Sequence, residues 1–276
     1  MRRSAVRMQR TKLPNGMEIT AARSEEATLM YGEVGAYVKH GLTLEPGAVI
    51  VDVGANIGIF SLWAYDQCDG QISVYAFEPI PAIFRLLEAN FKHIDHQRLK
   101  AFNVGLSAAP EIARFAYYPN ATFASTAYPD SPQADRQLTE TLLARSLHQL
   151  PPALAWIRGL PSLVRQPIIQ LLARYINQRQ FVTCELQTLS QVIRHQQIER
   201  IDFLKIDAEK SELDVLHGLE ADDWAKVQQV FAEVHNRDGR LQAIRDLLQH
   251  QQFRTIVCEQ DPYFTDTDIY AIYARR

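Results

Sequence analysis

Short apolar runs alternate with helix-period segments along most of this chain. AVIVDV (48–53), ISVYAFE (72–78) and LKAFNV (99–104) are apolar stretches bounded by turn residues and read as buried strands. IDFLKID (201–207) and VQQVFAEVH (227–235) repeat the pattern downstream, and RTIVCEQ and DIYAIYA close the chain as two further strands. Between them IGIFSLWAYDQ, Pro81 to His93, SELDVLHGL (211–219) and LQAIRDLLQHQ carry helical spacing, the second with proline in its first turn. Strand–helix alternation predicts an α/β fold, a mostly parallel sheet with helices on both faces. The loop between the last two strands is too short for a helical crossover, so they are expected to pair antiparallel. LPNGMEIT (13–20) carries an Asn-Gly hairpin signal and ATLMYGEVGAYVKH (27–40) reads as a helix, which makes residues 1–47 a cap on a core of 48–276.

The alternation breaks over residues 119–180. PNATFASTAYPDSPQ is turn-rich, and TETLLARSLHQL and PSLVRQPIIQLLARYINQ are helical patterns separated by Pro151, Pro152 and Pro161. A long insertion in a compact domain is usually functional, so this one is expected to form a helical lid over a substrate.

Composition narrows the field without choosing a function. Across 276 residues, 47% are apolar and 22% charged, ordinary for a globular domain. The net charge of −3 gives no support to a general nucleic-acid or anionic-membrane surface. Cys68, Cys184 and Cys258 are odd in number and lack metal-ligand spacing, which favours a reducing, cytoplasmic setting. No apolar run of membrane-spanning length is present, and the basic start MRRSAVRMQR lacks the apolar core of a signal peptide. That start reads as a solvated end, or as the cut end of a longer, assembly-line protein.

Candidate chemistry begins at VIVDVGANIGIFSLWA (49–64). A strand reaches Asp52 and then a turn whose glycines, Gly54 and Gly58, are four apart; a G-x-G-x-x-G fingerprint would need glycine at 54, 56 and 59. Asn56 stands where a pyrophosphate would want close backbone approach, which makes a nicotinamide-dependent oxidoreductase the weakest reading. Gly54 and Gly58 are expected to let the backbone bend close to a ligand, and Asp52 to attract an ammonium directly or through water. Glu78, at the end of the next strand, is placed to accept both hydroxyls of a ribose. A ribose diol joined to an amino-acid zwitterion describes S-adenosyl-L-methionine.

Three blocks then resemble one family. YGEVGAYVKHGLTLEPGAVIVDVGANIGIFSLWA, VYAFEPIPAIFRLLEANF and IDFLKIDAEKSELDVLHGLE look like FkbM-type methyltransferases, S-adenosylmethionine-dependent O-methyltransferases, over a match from about Leu13 to the C-terminus with the insertion largely outside. The resemblance implies a class I methyltransferase Rossmann-like fold with a seven-stranded sheet. It also implies cofactor roles for Asp52, Gly54, Ala55, Asn56 and Gly58, with Glu78 on the ribose and Asn103–Val104 near the adenine. One departure stands out: the family reads Asp-Val-Glu-Gly after its fourth strand, whereas this chain has Asp207-Ala208-Glu209-Lys210.

On the acceptor side, Glu233 and His235 are two apart on a strand and share a face. A neutral imidazole can accept a proton at physiological pH, so His235 is the expected general base, with Glu209 or Glu233 as its carboxylate partner and Asp207 beside them. The other histidines lack this context. The same four residues could instead gather a divalent ion, although nothing in their spacing requires one. YYPNATFAST (117–126) resembles its counterpart in FkbM-like domains of polyketide and nonribosomal peptide assembly lines, which implies a hydroxyl acceptor tethered to a carrier protein. On that reading the insertion and the helix near Tyr31 wall a narrow passage, and Arg145, Arg158, Arg165, Arg174 and Arg179 meet an acidic carrier. Free sugars or other small alcohols, and a cofactor-binding docking module without turnover, are the alternatives.

Overall fold

A computed structural model describes residues 8–145, 147 and 152–276. The basic tract through residue 7 and part of the end of TETLLARSLHQL lie outside the described residues. The hairpin is present as β1 (Gln9–Lys12) and β2 (Glu18–Ala21), with Gly16 at φ 92° in its turn. α1 (Ser24–Glu33) passes into a 3-10 turn at Val34–Tyr37, so the helix expected over 27–40 is shorter, interrupted near Gly32 and Gly35. β3 (Val49–Val53), α2 (Ile59–Gln67), β4 (Ser73–Phe77), α3 (Pro81–Ile94) and β5 (Leu99–Phe102) build the first half of the main sheet. The chain continues through β6 (Gly105–Leu106), β7 (Glu111–Tyr117), α4 (Pro132–Arg145), α5 (Ser162–Ile176), β8 (Gln180–Gln187) and α6 (Leu189–Gln196). The second half follows as β9 (Phe203–Ile206), α7 (Glu212–His217), α8 (Ala221–Trp224), β10 (Gln229–His235), α9 (Arg240–His250), β11 (Thr255–Glu259) and β12 (Ile269–Arg275).

Seven strands form the main sheet in the order β11-β12-β10-β9-β3-β4-β5. β10, β9, β3, β4 and β5 run parallel, and β12 runs antiparallel to both its neighbours, as the short final loop predicts. This is the class I methyltransferase arrangement. Strand pleating divides the core: Ile50, Phe203 and Phe231 pack on the α1–α3 side, while Val51, Leu204, Val230 and Ala232 pack toward α6, α7 and α9. Each such buried side chain contributes roughly 1.5–3 kcal/mol relative to exposure, so a one-residue slip in a central strand would be prohibitive.

Sequence periodicity did not yield the second sheet, β6-β8-β7. β7 pairs antiparallel with β8 over its whole length, from Glu111↔Leu186 to Tyr117↔Gln180. The 119–180 segment is therefore the connection of one long hairpin, with both its ends held on a single ladder. α4 and α5 pack on each other above it; α4 buries none of its described residues and α5 buries Ile169 and Ala173.

Candidate active site

Strand order reverses between β3 and β9, and a cavity opens beyond their carboxyl ends. It encloses about 810 Å³ with its open mouth counted. Gly54, Ala55, Asn56 and Glu78 line one part, and Asp207 and Glu209 line another.

The turn after β3 is built differently from the sequence expectation. Gly54 lines the cavity, and the protein itself already requires glycine there: at φ 73° an added Cβ would fall 1.8 Å from the Asp207 carbonyl oxygen. Gly58, at φ 91°, makes room for Leu87 and Phe91 of α3 and lies off the cavity wall. The amides are engaged too, since Gly54 and Ala55 donate to the Phe77 carbonyl at 3.1 and 3.0 Å. Asn56 takes φ 51°, a left-handed conformation that asparagine tolerates. Its N–H donates to Glu78 Oε2 at 3.1 Å, while Ile80 N–H donates to Glu78 Oε1 at 2.8 Å. Burial lifts the Glu78 carboxyl to about 7 against the pull of these two amides. Asn103 is exposed and donates to the Glu78 and Pro79 carbonyls at 3.0 Å each, so it braces the Glu78 bend from outside. Val104 is buried off the cavity; Gly105 and Leu106 supply the wall expected of Asn103 and Val104.

Asp52 is fully buried and does not line the cavity. Ser61 Oγ donates to its Oδ2 at 2.6 Å and Lys205 Nζ lies 3.2 Å from its Oδ1. Lys205 also donates to the Gly54 carbonyl at 3.0 Å and stands 3.4 Å from Asp207 Oδ2. Burial opposes its charge, but Asp52 and Asp207 outweigh it and hold its pKa above the ordinary lysine value. Asp52 thus acts through Lys205, a residue the sequence reading passed over. A lysine in the apolar strand FLKI was the available signal, because buried lysines are nearly always paired.

At the ends of β9 and β10, single carboxylate oxygens of Asp207, Glu209 and Glu233 lie within 4.8 Å of one another. His235 does not join that trio. It is buried, its Nε2 is 3.4 Å from Glu209 Oε2, and its Nδ1 is 3.3 Å from Glu212 Oε1. Its carboxylate partners are therefore Glu209 and Glu212, with no hydrogen bond or ion pair to Glu233 among the described contacts. Burial pulls the imidazole pKa down, yet Glu209 and Glu212 more than reverse this and raise it to about 9. Two carboxylates thus press His235 toward the imidazolium, against the neutral base expected from sequence. Burial, helped by Asp207 and Glu212 and opposed by His235, lifts Glu209 to about 7, and burial with Asp207 and Glu209 pushes Glu233 well above the usual carboxylate range.

The family model of the methyltransferase FkbM domain matches residues 52–255. The chain is 37% identical over 269 residues to 31-O-demethyl-FK506 methyltransferase FkbM of Streptomyces tacrolimicus, covering 96% of each. The chain belongs to the FkbM methyltransferase family. It is also 35% identical to part of the AMB antimetabolite synthetase AmbE of Pseudomonas aeruginosa, over 96% of this chain but 12% of that protein. Methyltransferase sdnD of Sordaria araneosa is 29% identical, with 83% of this chain and 82% of that one covered.

S-adenosylmethionine is the cofactor of this FkbM methyltransferase, and the site suits it: Glu78 is a desolvated acceptor facing the cavity where a ribose diol would donate. With 96% of the chain aligned to each of the two nearer relatives, the 119–180 segment belongs to the shared region and not, as the sequence suggested, outside it. Thr122, Phe123 and Ser125 from its start line the cavity, as do Met30 and Val34 from the N-terminal helix and turn. Thr122 is seated by Asn56 and by Glu26, which accepts its N–H at 2.6 Å. No described side chain of α4 or α5 reaches the wall. Of the insertion arginines, Arg179 is engaged internally with Asp135 and Arg145 with Asp266.

Lys210, the departure from the family pattern, follows Glu209 in a pair of left-handed residues, φ 45° and 79°. Its ammonium bonds Asp130 at 2.9 Å, and Asp130 is clasped by Arg237, which holds that carboxyl down at about 2. The strained turn is thus tied to the insertion's entrance.

Proposed function

We propose that this protein is an O-methyltransferase acting on a hydroxyl of a natural-product intermediate, with Glu209 accepting the hydroxyl proton and His235 as its charged partner. The observation that carries this reading is that Glu209 faces the cavity while His235 lies behind it. When bound, S-adenosylmethionine supplies a methyl group already activated by its sulfonium. Glu78 receives the ribose hydroxyls, and the wall from Met30, Val34 and Phe123 excludes water around the acceptor. Positioning supplies most of the acceleration in such a transfer. A hydroxyl must also lose its proton, and a carboxylate poised near 7 is suited to accept it at physiological pH. The imidazolium behind Glu209 favours its ionised form before the proton arrives. Assigning the base to Glu209 exchanges the roles that the sequence suggested for this pair.

An intermediate tethered to a carrier protein is the acceptor class we favour, on the ground that a 35% identical segment is embedded in a much longer synthetase, of which it makes up 12%. The helical part of the insertion would then act as the rim of the passage. A docking module without turnover gains no support from Lys210, whose ion pair leaves Glu209 on the cavity wall. The deciding experiment incubates the protein with labelled S-adenosylmethionine and a panel of carrier-bound and free hydroxy compounds, with products weighed by mass spectrometry. We expect a methyl ether on a hydroxyl acceptor, lost by roughly 10²–10⁴-fold in Glu209→Gln while S-adenosylhomocysteine still binds. Methylation of amines alone, or full activity in Glu209→Gln, would refute the reading.

A further inference from the structure

One buried carboxylate next to this site has no role in the reaction as described. Glu212 opens α7, is fully buried and does not line the cavity. Its Oε1 accepts the Lys210 N–H at 2.6 Å and lies 3.3 Å from His235 Nδ1. Its Oε2 has no hydrogen-bond partner among the described residues. A carboxylate oxygen held away from water without a partner is costly, so its retention calls for a compensating cation.

We propose that Glu212 is a positioning residue that holds His235 doubly protonated, with Nε2 directed at Glu209, and so tunes the group that faces the acceptor. The two ring nitrogens each meet a different carboxylate: Nδ1 hydrogen-bonds Glu212 Oε1 at 3.3 Å, and Nε2 lies at ion-pair distance, 3.4 Å, from Glu209 Oε2. With Glu209 ionised, a neutral imidazole would turn a lone pair toward one of those carboxylates, whereas the imidazolium sets an N–H against each. Glu212 holds it from behind. Through the Lys210 N–H, Glu212 also braces the left-handed Glu209-Lys210 pair that presents Glu209 to the cavity. Glu209, Glu212 and Glu233 face His235, while His235, Asp207, Glu212 and Lys210 face Glu209. Removing the Glu212 charge therefore lowers the proton affinity of His235 and weakens its hold on the ionised form of Glu209.

The catalytic meaning of this arrangement rests on the reading of Glu209 as proton acceptor, but its test does not. The nitrogen-15 spectrum of histidine-labelled full-length protein, saturated with S-adenosylhomocysteine, reads both ring nitrogens of His235 directly, with assignment by His235→Asn. The wild type is expected to show an imidazolium at about pH 8. Glu212→Gln is expected to lower the His235 pKa by roughly 1–2 pH units, and Glu212→Asp to give an intermediate value, with S-adenosylhomocysteine affinity by calorimetry unchanged. A neutral ring in the wild type at that pH overturns the proposal whatever the variants do. So does a Glu212→Gln protein that binds S-adenosylhomocysteine and titrates like wild type. An imidazolium with the expected shifts, in a protein that methylates no hydroxyl, would reject the proposed reaction while leaving Glu212 in this role.

Discussion

Glu78 holds two amides, one on each oxygen, and still faces the cavity. Glu78→Gln keeps the shape but loses the charge-assisted acceptance of a diol. Calorimetry with S-adenosylhomocysteine is expected to show roughly 10-fold weaker binding or worse. The same carboxyl sets part of the pH dependence of stability. Its folded pKa, about 7, lies above its unfolded value, and Glu209 behaves alike. Each contributes stability that is full below the unfolded value of roughly 4.3 and lost as pH rises through about 7. His235 adds a further loss between roughly 6.5 and about 9. Thermal melts of the ligand-free protein should therefore fall steadily from about pH 5 to pH 9; a maximum near pH 8 would contradict these assignments. Much of the site was legible at this scale. Glu78, Asn56 and Glu209 stand on the cavity as the motif spacing implied. Asp52 and Asn103 stand off the cavity wall, because a sequence shows which side chains are near a site but not which way each points. Lys205 carried a local signal, a lysine in an apolar strand, whereas Glu212 meets His235 only once α7 packs beside β10.

Elements obey the patterns that local periodicity can carry. The five parallel strands and the C-terminal antiparallel strand were readable because each is a short, mostly apolar run bounded by turn residues. β7 and β8 were not, since their partners lie across the 119–180 connection and nothing local announces a pairing at that distance. α6 did carry a legible start, the Thr188–Gln191 capping box, which went unread. The turn after β3 offers a test of which glycine does what. Gly58→Ala forces a left-handed alanine into α3 and is expected to cost roughly 2–4 kcal/mol by urea denaturation. Gly54→Ala drives a methyl into the Asp207 carbonyl, so it should abolish S-adenosylhomocysteine binding by moving the end of β9. Equal, mild effects at both positions would mean that the turn yields more readily than its packing implies.

The molecule as a whole is a donor-binding sheet with a second, smaller sheet set against it. Lys205 and His235 already stand beside Asp207 and Glu209, so we expect methyl transfer to survive prolonged dialysis against EDTA; activity restored only by a divalent ion would instead make the Asp207–Glu209–Glu233 trio a metal site. No described helix is long and apolar enough to cross a membrane, and Cys68 and Cys184 are free and buried. α4 and α5 stand apart from the cavity wall. Replacing 134–176 with a short flexible link is expected to leave S-adenosylhomocysteine affinity intact while acceptor turnover falls, as read by calorimetry beside product analysis.

Both ends of the helical segment leave from one hairpin, at Tyr117 and Gln180. A graft there would meet the same two neighbouring exits whatever its length, because the ladder rather than the inserted piece sets their spacing. We expect acceptor preference in such a scaffold to be open to exchange by transplanting the part of that excursion beyond Asp130, which keeps Thr122, Phe123 and Ser125 on the cavity wall and the Asp130–Lys210 pair in place.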